Sequence, residues 1–191
     1  MKKNIILCGV GGQGTILASR LIAAAAMAGD LPVHTAETIG MAQRGGSVFS
    51  HIRIGEGVFS PLIARGEADL IIGFEPGETV RLLPWLKKDG TVVYATAPVM
   101  PVSAMIGRSA YHVEEMSAYL EENTAHLIPV DTARAARDLG SDKLMNVLLL
   151  GAAVRSGALG LGMDEMMHAV REKVPERFAA LNEKALNYYK D

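Results

Sequence analysis

Gly9-Val10-Gly11-Gly12-Gln13-Gly14 follows the apolar run Ile5-Ile6-Leu7-Cys8 and precedes a helical pattern that begins near Thr15. The order reads as strand, tight glycine turn, helix. Glycines there allow backbone conformations closed to other residues, and they bring bare N–H groups to a helix N-terminus, where an anion can sit. The letters also satisfy G-x-G-x-x-G, the dinucleotide-binding pattern. A structural turn, or a loop packed on another polypeptide, fits the same letters, and Gln13 with the extra Gly12 suits that reading equally well.

Around this turn the chain alternates strands with helices. Residues 3–8 read as a buried strand, 15–29 as a helix with a small-residue face at Ala23 to Ala26, and 32–37 as a second strand. Residues 47–54 alternate Val48/Ser50/Ile52/Ile54 against Phe49/His51/Arg53, the period of a half-exposed strand. Leu70 to Phe74 reads as a deeply buried strand, Pro76 to Leu86 as a helix with proline in its first turn, Lys88-Asp89-Gly90 as a turn and Thr91 to Ala95 as a strand. A loop over 97–110, a helix over 113–122 and an edge strand at Leu127-Ile128-Pro129-Val130 follow, since Pro129 cannot donate to a ladder. Asp131 is placed to cap the next helix. From Leu144 to Tyr189 three helical stretches appear, broken at Gly157–Gly162 and around Pro175. The expected fold is α/β: an open, mostly parallel twisted sheet with flanking helices, glycine-rich loops at its C-terminal edge and a helical C-terminal extension. It is read as one domain over 1–191, an α/β core to 140 with the helices of 141–191 packed on it as an appendix.

Composition narrows the function. With 19 basic and 21 acidic residues among 191 and a net charge of −2, no basic surplus points to nucleic acid or an anionic membrane. The first apolar run meets glycine too soon for a signal peptide or a membrane span, so a cytoplasmic protein is expected. Cys8 is the only cysteine. It reads as a small core residue, and one cysteine cannot hold an iron–sulfur cluster. His34, His112, His126 and His168 have no partner at metal-ligand spacing, and His51 reads as a strand residue facing solvent or a subunit. No metal site and no catalytic residue are expected on this chain.

Two further features bear on the turn. Glu37 ends the second strand at about the spacing where a dinucleotide fold places a carboxylate on the ribose. But Glu37-Thr38-Ile39-Gly40-Met41-Ala42-Gln43-Arg44-Gly45-Gly46-Ser47 runs straight into the next strand, where that fold needs a crossover helix. So short a link suits an antiparallel return. Arg44, among polar and glycine neighbours, could reach a phosphate or carboxylate with two hydrogen bonds, or simply be solvated. Glu75 and Glu78 flank Pro76-Gly77 at a helix start and read as dipole-stabilised carboxylates, and Asn146 as a cap or a ligand contact.

Taken together, Gly9 to Gly14, the Glu37-x-x-Gly40-x-x-Gln43-Arg44-Gly45-Gly46 segment and the strand ending Arg53-Ile54-Gly55 resemble the gamma subunit of 2-oxoacid:ferredoxin oxidoreductases. Within that family they look most like the small (beta) subunits of the indolepyruvate enzymes. The likeness continues through Ser60-Pro61, Ala68-Asp69-Leu70, Glu75-Pro76-x-Glu78, Asn146 and Leu150-Gly151 to Asn182–Ala185. It implies thiamine-dependent oxidative decarboxylation of a 2-oxoacid to an acyl-CoA, with electrons passed to ferredoxin. The cofactors, thiamine diphosphate with Mg2+ and [4Fe–4S] clusters, would reside on a larger partner subunit. Coenzyme A would be the co-substrate. The residues implied at its approach are Gly11, Gly12, Gln13, Gly14, Glu37, Gln43, Arg44, Gly45, Gly46 and Arg53: the glycines by N–H groups, Arg44 and Arg53 by charge, Gln43 and Glu37 by holding the loop. Two other readings stay open, a stand-alone dinucleotide-binding oxidoreductase and a purely structural assembly subunit.

Overall fold

A computed structural model describes residues 1–38, 45–100 and 102–189. Six strands form one sheet: β1 (Lys3–Val10), β2 (Val33–Glu37), β3 (Ser47–Ile54), β4 (Ala68–Gly73), β5 (Leu86–Ala95) and β6 (His126–Val130), in the order β2-β3-β1-β4-β5-β6. The β1–β4, β4–β5 and β5–β6 pairs are parallel, and β3 lies antiparallel to both neighbours. Among the described residues eight α-helices connect and cover it: α1 (Thr15–Ala28), α2 (Pro76–Leu82), α3 (Val102–Met105), α4 (Val113–Asn123), α5 (Thr132–Leu139), α6 (Met145–Arg155), α7 (Met163–Lys173) and α8 (Glu176–Leu186).

The two faces of the sheet follow from period-two alternation. Ile5, Leu7, Leu70, Ile72 and Val93 point into one core with α1 and α6. Ile6, Cys8, Ile71, Val92 and Tyr94 point into a smaller core with Leu82 and Leu120. Burial on both faces explains why β1 and β4 are continuous apolar runs. The alanines of α1 let it lie close: Ala18, Ala25 and Ala26 have no exposed surface.

The link after Glu37 returns antiparallel, with Glu37 opposite Ser50 and Val33 opposite Ile54. β3 therefore separates β2 from β1. In a dinucleotide fold β2 is β1's direct neighbour. Here Glu37 ends a strand two positions away, about 10 Å across the sheet at standard spacing.

Several local expectations need correction. The helix after Pro76 stops at Leu82 and tightens into a 3₁₀ turn over Leu83–Trp85, because Pro84 cannot continue an α-helix. Lys88-Asp89-Gly90 is not a turn before β5 but lies inside it, where the pairing jumps from Ala68–Leu86 to Leu70–Thr91. The span 97–110 includes α3. His51 is buried, accepts the Ile63 N–H at Nδ1 (3.2 Å) and packs edge-on against Phe49. Its pKa is lowered by desolvation. The last helices pack on the α/β core as a helical extension. Asn146 to Val154 of α6 are all buried, in the same cluster as α1 and the sheet. A helix apolar all round belongs in a core, not on a surface. Asp131 does cap α5, accepting the Arg134 N–H at 2.9 Å, and β6, with Pro129, is an edge strand.

Candidate functional site

β1 ends at Val10, and the glycine turn follows at the carboxyl end of the parallel strands. Gly12 (φ 106°) and Gly14 (φ 86°) occupy the left-handed region, so the turn requires glycine there. Gly9 is required for space: a Cβ would lie 2.7 Å from Phe74 Cβ and 2.6 Å from Gln13 Oε1. Gln13 turns inward. Its Oε1 accepts the Val10 N–H (2.6 Å) and its Nε2 donates to the Phe74 carbonyl (2.8 Å), tying the turn to the end of β4. Gly11 N–H donates to the Gly46 carbonyl (2.8 Å), and Gly45 N–H to the Gly11 carbonyl (3.3 Å). The two glycine segments are thus joined backbone to backbone.

A cleft of about 370 Å3 opens beside this junction, lined by Gly11, Gly12, Gly14, Glu37 and the first turn of α1 at Thr15 and Ile16. Its far wall is Thr38 with Val48 to Ser50. α1 has glycine as its N-cap, no side-chain cap bond and no acidic residue in its first turn. Its unpaired N–H groups and the positive dipole end therefore face the cleft. Glu37 adds a carboxylate opposite, which can accept from a hydroxyl, an amide or a cation.

Across Gly45 lies a second cleft of about 320 Å3, with Ser47, Glu75, Glu78 and Tyr111. Glu75 caps α2 by accepting the Glu78 N–H (3.0 Å), and Tyr111 O–H donates to its other oxygen. Burial, and that bond to a carboxylate, push the Tyr111 phenol up. Glu78 accepts from Ser47 Oγ (2.7 Å) and pairs with Arg81; burial still raises its carboxyl above the ordinary range. These groups brace the glycine junction from α2.

The expected site residues separate into groups. Gly11, Gly12, Gly14 and Glu37 share one cleft, and Gly45 and Gly46 bond to Gly11. Gln13 is a staple facing the core. Gln43 and Arg44 lie outside the described residues. Arg53 does not belong with the others. It sits at the opposite end of β3, paired with Asn4, where Nε donates to Asn4 Oδ1 (3.0 Å) and one terminal nitrogen to the carbonyls of Ser60 and Leu62 (both 3.1 Å). The antiparallel run of β3 carries it away. Sequence reading missed Phe49, Ser50 and Tyr111. The alternation of 47–54 could have placed the first two, but nothing local marks Tyr111, 36 residues from Glu75.

One cysteine is too few to hold an iron–sulfur cluster. Cys8 is fully buried with its thiol pKa pushed up by desolvation, and among the described residues no three His, Cys, Asp or Glu side chains group to hold a metal ion. Among the described residues, no helix is long and apolar enough to cross a membrane.

Fold and cleft define the class: an open α/β protein offering backbone N–H groups and a helix N-terminus at the carboxyl ends of its strands, where such folds take ligands. The family model for pyruvate ferredoxin/flavodoxin oxidoreductase matches residues 4–188. Indolepyruvate oxidoreductase subunit IorB of Archaeoglobus fulgidus is 40% identical, over 97% of this chain and 92% of its own length. The subunit of the same name from Methanothermobacter thermautotrophicus is 37% identical, over 97% and 94%. Among solved structures, the keto/oxoacid ferredoxin oxidoreductase gamma subunit of Geobacter sulfurreducens superposes with a TM-score of 0.70 at 23% identity, over 97% of this chain and 94% of that one. A 2-oxoglutarate:ferredoxin oxidoreductase from Magnetococcus marinus, with 2-oxoglutarate, coenzyme A and succinyl-CoA bound, gives 0.73 at 22% identity, over 99% of this chain and 30% of that one. The chain belongs to the pyruvate ferredoxin/flavodoxin oxidoreductase family and, matching IorB subunits over nearly their full length, is one of its small subunits.

Proposed function

We propose that this chain is the small subunit of a 2-oxoacid:ferredoxin oxidoreductase acting on an arylpyruvate such as indolepyruvate, and that its glycine edge flanks the approach of coenzyme A to a partner's reacting centre. Thiamine diphosphate, Mg2+ and the [4Fe–4S] clusters would sit on that larger partner, which would pass electrons to ferredoxin; the single cysteine of this chain supports that placement for the clusters. The observation that carries the reading is the backbone junction of Gly11 with Gly45 and Gly46, opening on a cleft that contains the bare N-terminus of α1. Gly12, Gly14 and the first turn of α1 would present N–H groups to a phosphate, with Arg44 adding charge. Such groups position and stabilise; they move no proton. The strand order speaks against a stand-alone dinucleotide enzyme, since β3 separates Glu37 from β1.

The test is to co-produce the chain with its candidate large subunit and change Arg44 to Ala. Loss of one charge-assisted hydrogen bond should raise the coenzyme A KM about tenfold while the complex stays assembled. An unchanged KM in an intact complex removes Arg44 from the account. Equal loss of assembly and activity would favour a purely structural role for this edge.

A further inference from the structure

Ser50 is 2% exposed, and its hydroxyl has no hydrogen bond among the described residues. Its neighbours on the same face of β3, Ile52 and Ile54, have no exposed surface and pack into the larger core. A hydroxyl in that row is a polar group among apolar ones. Left unbonded, it costs stability that an alanine would not. Thr124 and Thr132 keep the side-chain oxygens that, among the described residues, are both unbonded and sealed from outside. Ser50 Oγ is not one of these. It is unbonded but open, and it opens on the cleft of about 370 Å3 beside the glycine junction, which Ser50 lines.

Glu37 stands directly opposite Ser50 in the β2–β3 pair. Such partners share one face of a sheet, with Cβ atoms about 4.5–5.5 Å apart. The Glu37 carboxylate, in the same cleft, has no hydrogen bond or ion pair among the described residues. A free donor and a free acceptor therefore stand side by side. An alcohol hydroxyl uses both, accepting from Ser50 Oγ–H and donating to Glu37. A carbonyl would engage only Ser50, a backbone-type N–H only Glu37, and a phosphate would be repelled by the carboxylate. Ile16 and Val48 also line the cleft, so the carbon beside that hydroxyl meets apolar surface.

We propose that Glu37 and Ser50 bind an alcohol hydroxyl carried on an apolar chain, and that in the assembled enzyme it is the pantoyl hydroxyl of coenzyme A. That part of coenzyme A has a secondary alcohol next to a dimethyl-substituted carbon, with a phosphate ester on the methylene beyond. The assignment rests on the reading that the glycine edge meets coenzyme A. The phosphate takes the N–H groups of Gly12, Gly14 and the first turn of α1, the dimethyl carbon lies against Ile16 and Val48, and the hydroxyl sits between Ser50 and Glu37. Glu37 then contacts the ligand directly and does more than hold its loop.

Ser50→Ala in the complex with the larger subunit tests it. The variant removes only an unbonded hydroxyl, so the denaturant midpoint of the chain should hold or rise, while the coenzyme A KM rises about fivefold. Glu37→Gln keeps an acceptor and should raise it about threefold. Two inhibitors separate the ends of the ligand. Inhibition by 4′-phosphopantothenate should weaken about fivefold in Ser50→Ala, and inhibition by adenosine 3′,5′-bisphosphate should not change. A coenzyme A KM unchanged by Ser50→Ala, as for a pair that holds only water, would overturn the proposal. So would a lowered midpoint, which marks a structural hydroxyl, or equal weakening of both inhibitors. If Gly12→Ala raises the KM and Ser50→Ala does not, this proposal alone fails; if neither does, the reading of the glycine edge fails with it.

Discussion

The Ser47 end and the Arg53 end of β3 lie about 20 Å apart along one strand, and they are held by opposite means. At Ser47 the chain closes backbone to backbone, Gly11 to Gly45 and Gly46, and the side chain that staples the turn among the described residues, Gln13, points into the protein. At Arg53 the side chains do the closing: the guanidinium clamps Asn4, Ser60 and Leu62, and Asp69 accepts the Asn4 N–H at 2.7 Å. The first end leaves an open cleft floored by peptide groups. At the second, Arg53, Asn4, Asp69 and Lys87 are engaged with one another or with backbone, beside a polar hollow of about 390 Å3. A ligand or partner loop needs the former, whereas a stable strand end needs only the latter.

Removing each end's fastener should show the difference. Gln13→Ala leaves the Val10 N–H and the Phe74 carbonyl without partners and is expected to cost about 2–5 kcal/mol, read as a lowered denaturant midpoint at unchanged m. Arg53→Ala gives up hydrogen bonds near solvent and should cost about 1–2 kcal/mol. A reversed ranking would break the contrast between a buried staple and a surface clamp.

His51, between the two ends, gives a smaller and pH-dependent effect. Burial lowers its pKa, and its Nδ1 must stay unprotonated to accept from Ile63 N–H. The folded state therefore binds fewer protons than the unfolded state below the ordinary value of 6.5. Its contribution is intact above that pH and declines as pH falls towards the lowered folded value. His51→Gln should flatten this part of the stability–pH curve. A curve unchanged by the substitution would contradict the buried assignment.

Much of this was legible in sequence, for physical reasons that can be named. The two-residue period of 47–54 and the short link after Glu37 dictated an antiparallel β3, because a parallel return needs a dozen or more residues. Glycine positions marked the turn because positive φ leaves little alternative. What stayed hidden required knowledge of tertiary direction. Arg53 reads like Arg44 in composition, and only the antiparallel course of β3 sends it to the other end of the sheet. α6 reads only as part of the helical extension, because a helix without a polar face has no stripe to reveal what it packs on. The Glu75–Tyr111 bond joins residues 36 apart, a separation that carries no local signal.

The central claim is that the glycine edge, and not the Arg53 end, meets coenzyme A. The most direct measurement compares the coenzyme A KM of Gly12→Ala and Arg53→Ala in the assembled complex. A Cβ on Gly12 meets nothing within 4 Å in this chain, so its effect reports backbone strain and the approach of a ligand. The account predicts about a tenfold higher KM for Gly12→Ala and an unchanged KM for Arg53→Ala. An unchanged KM for Gly12→Ala, with a raised one for Arg53→Ala, would contradict it.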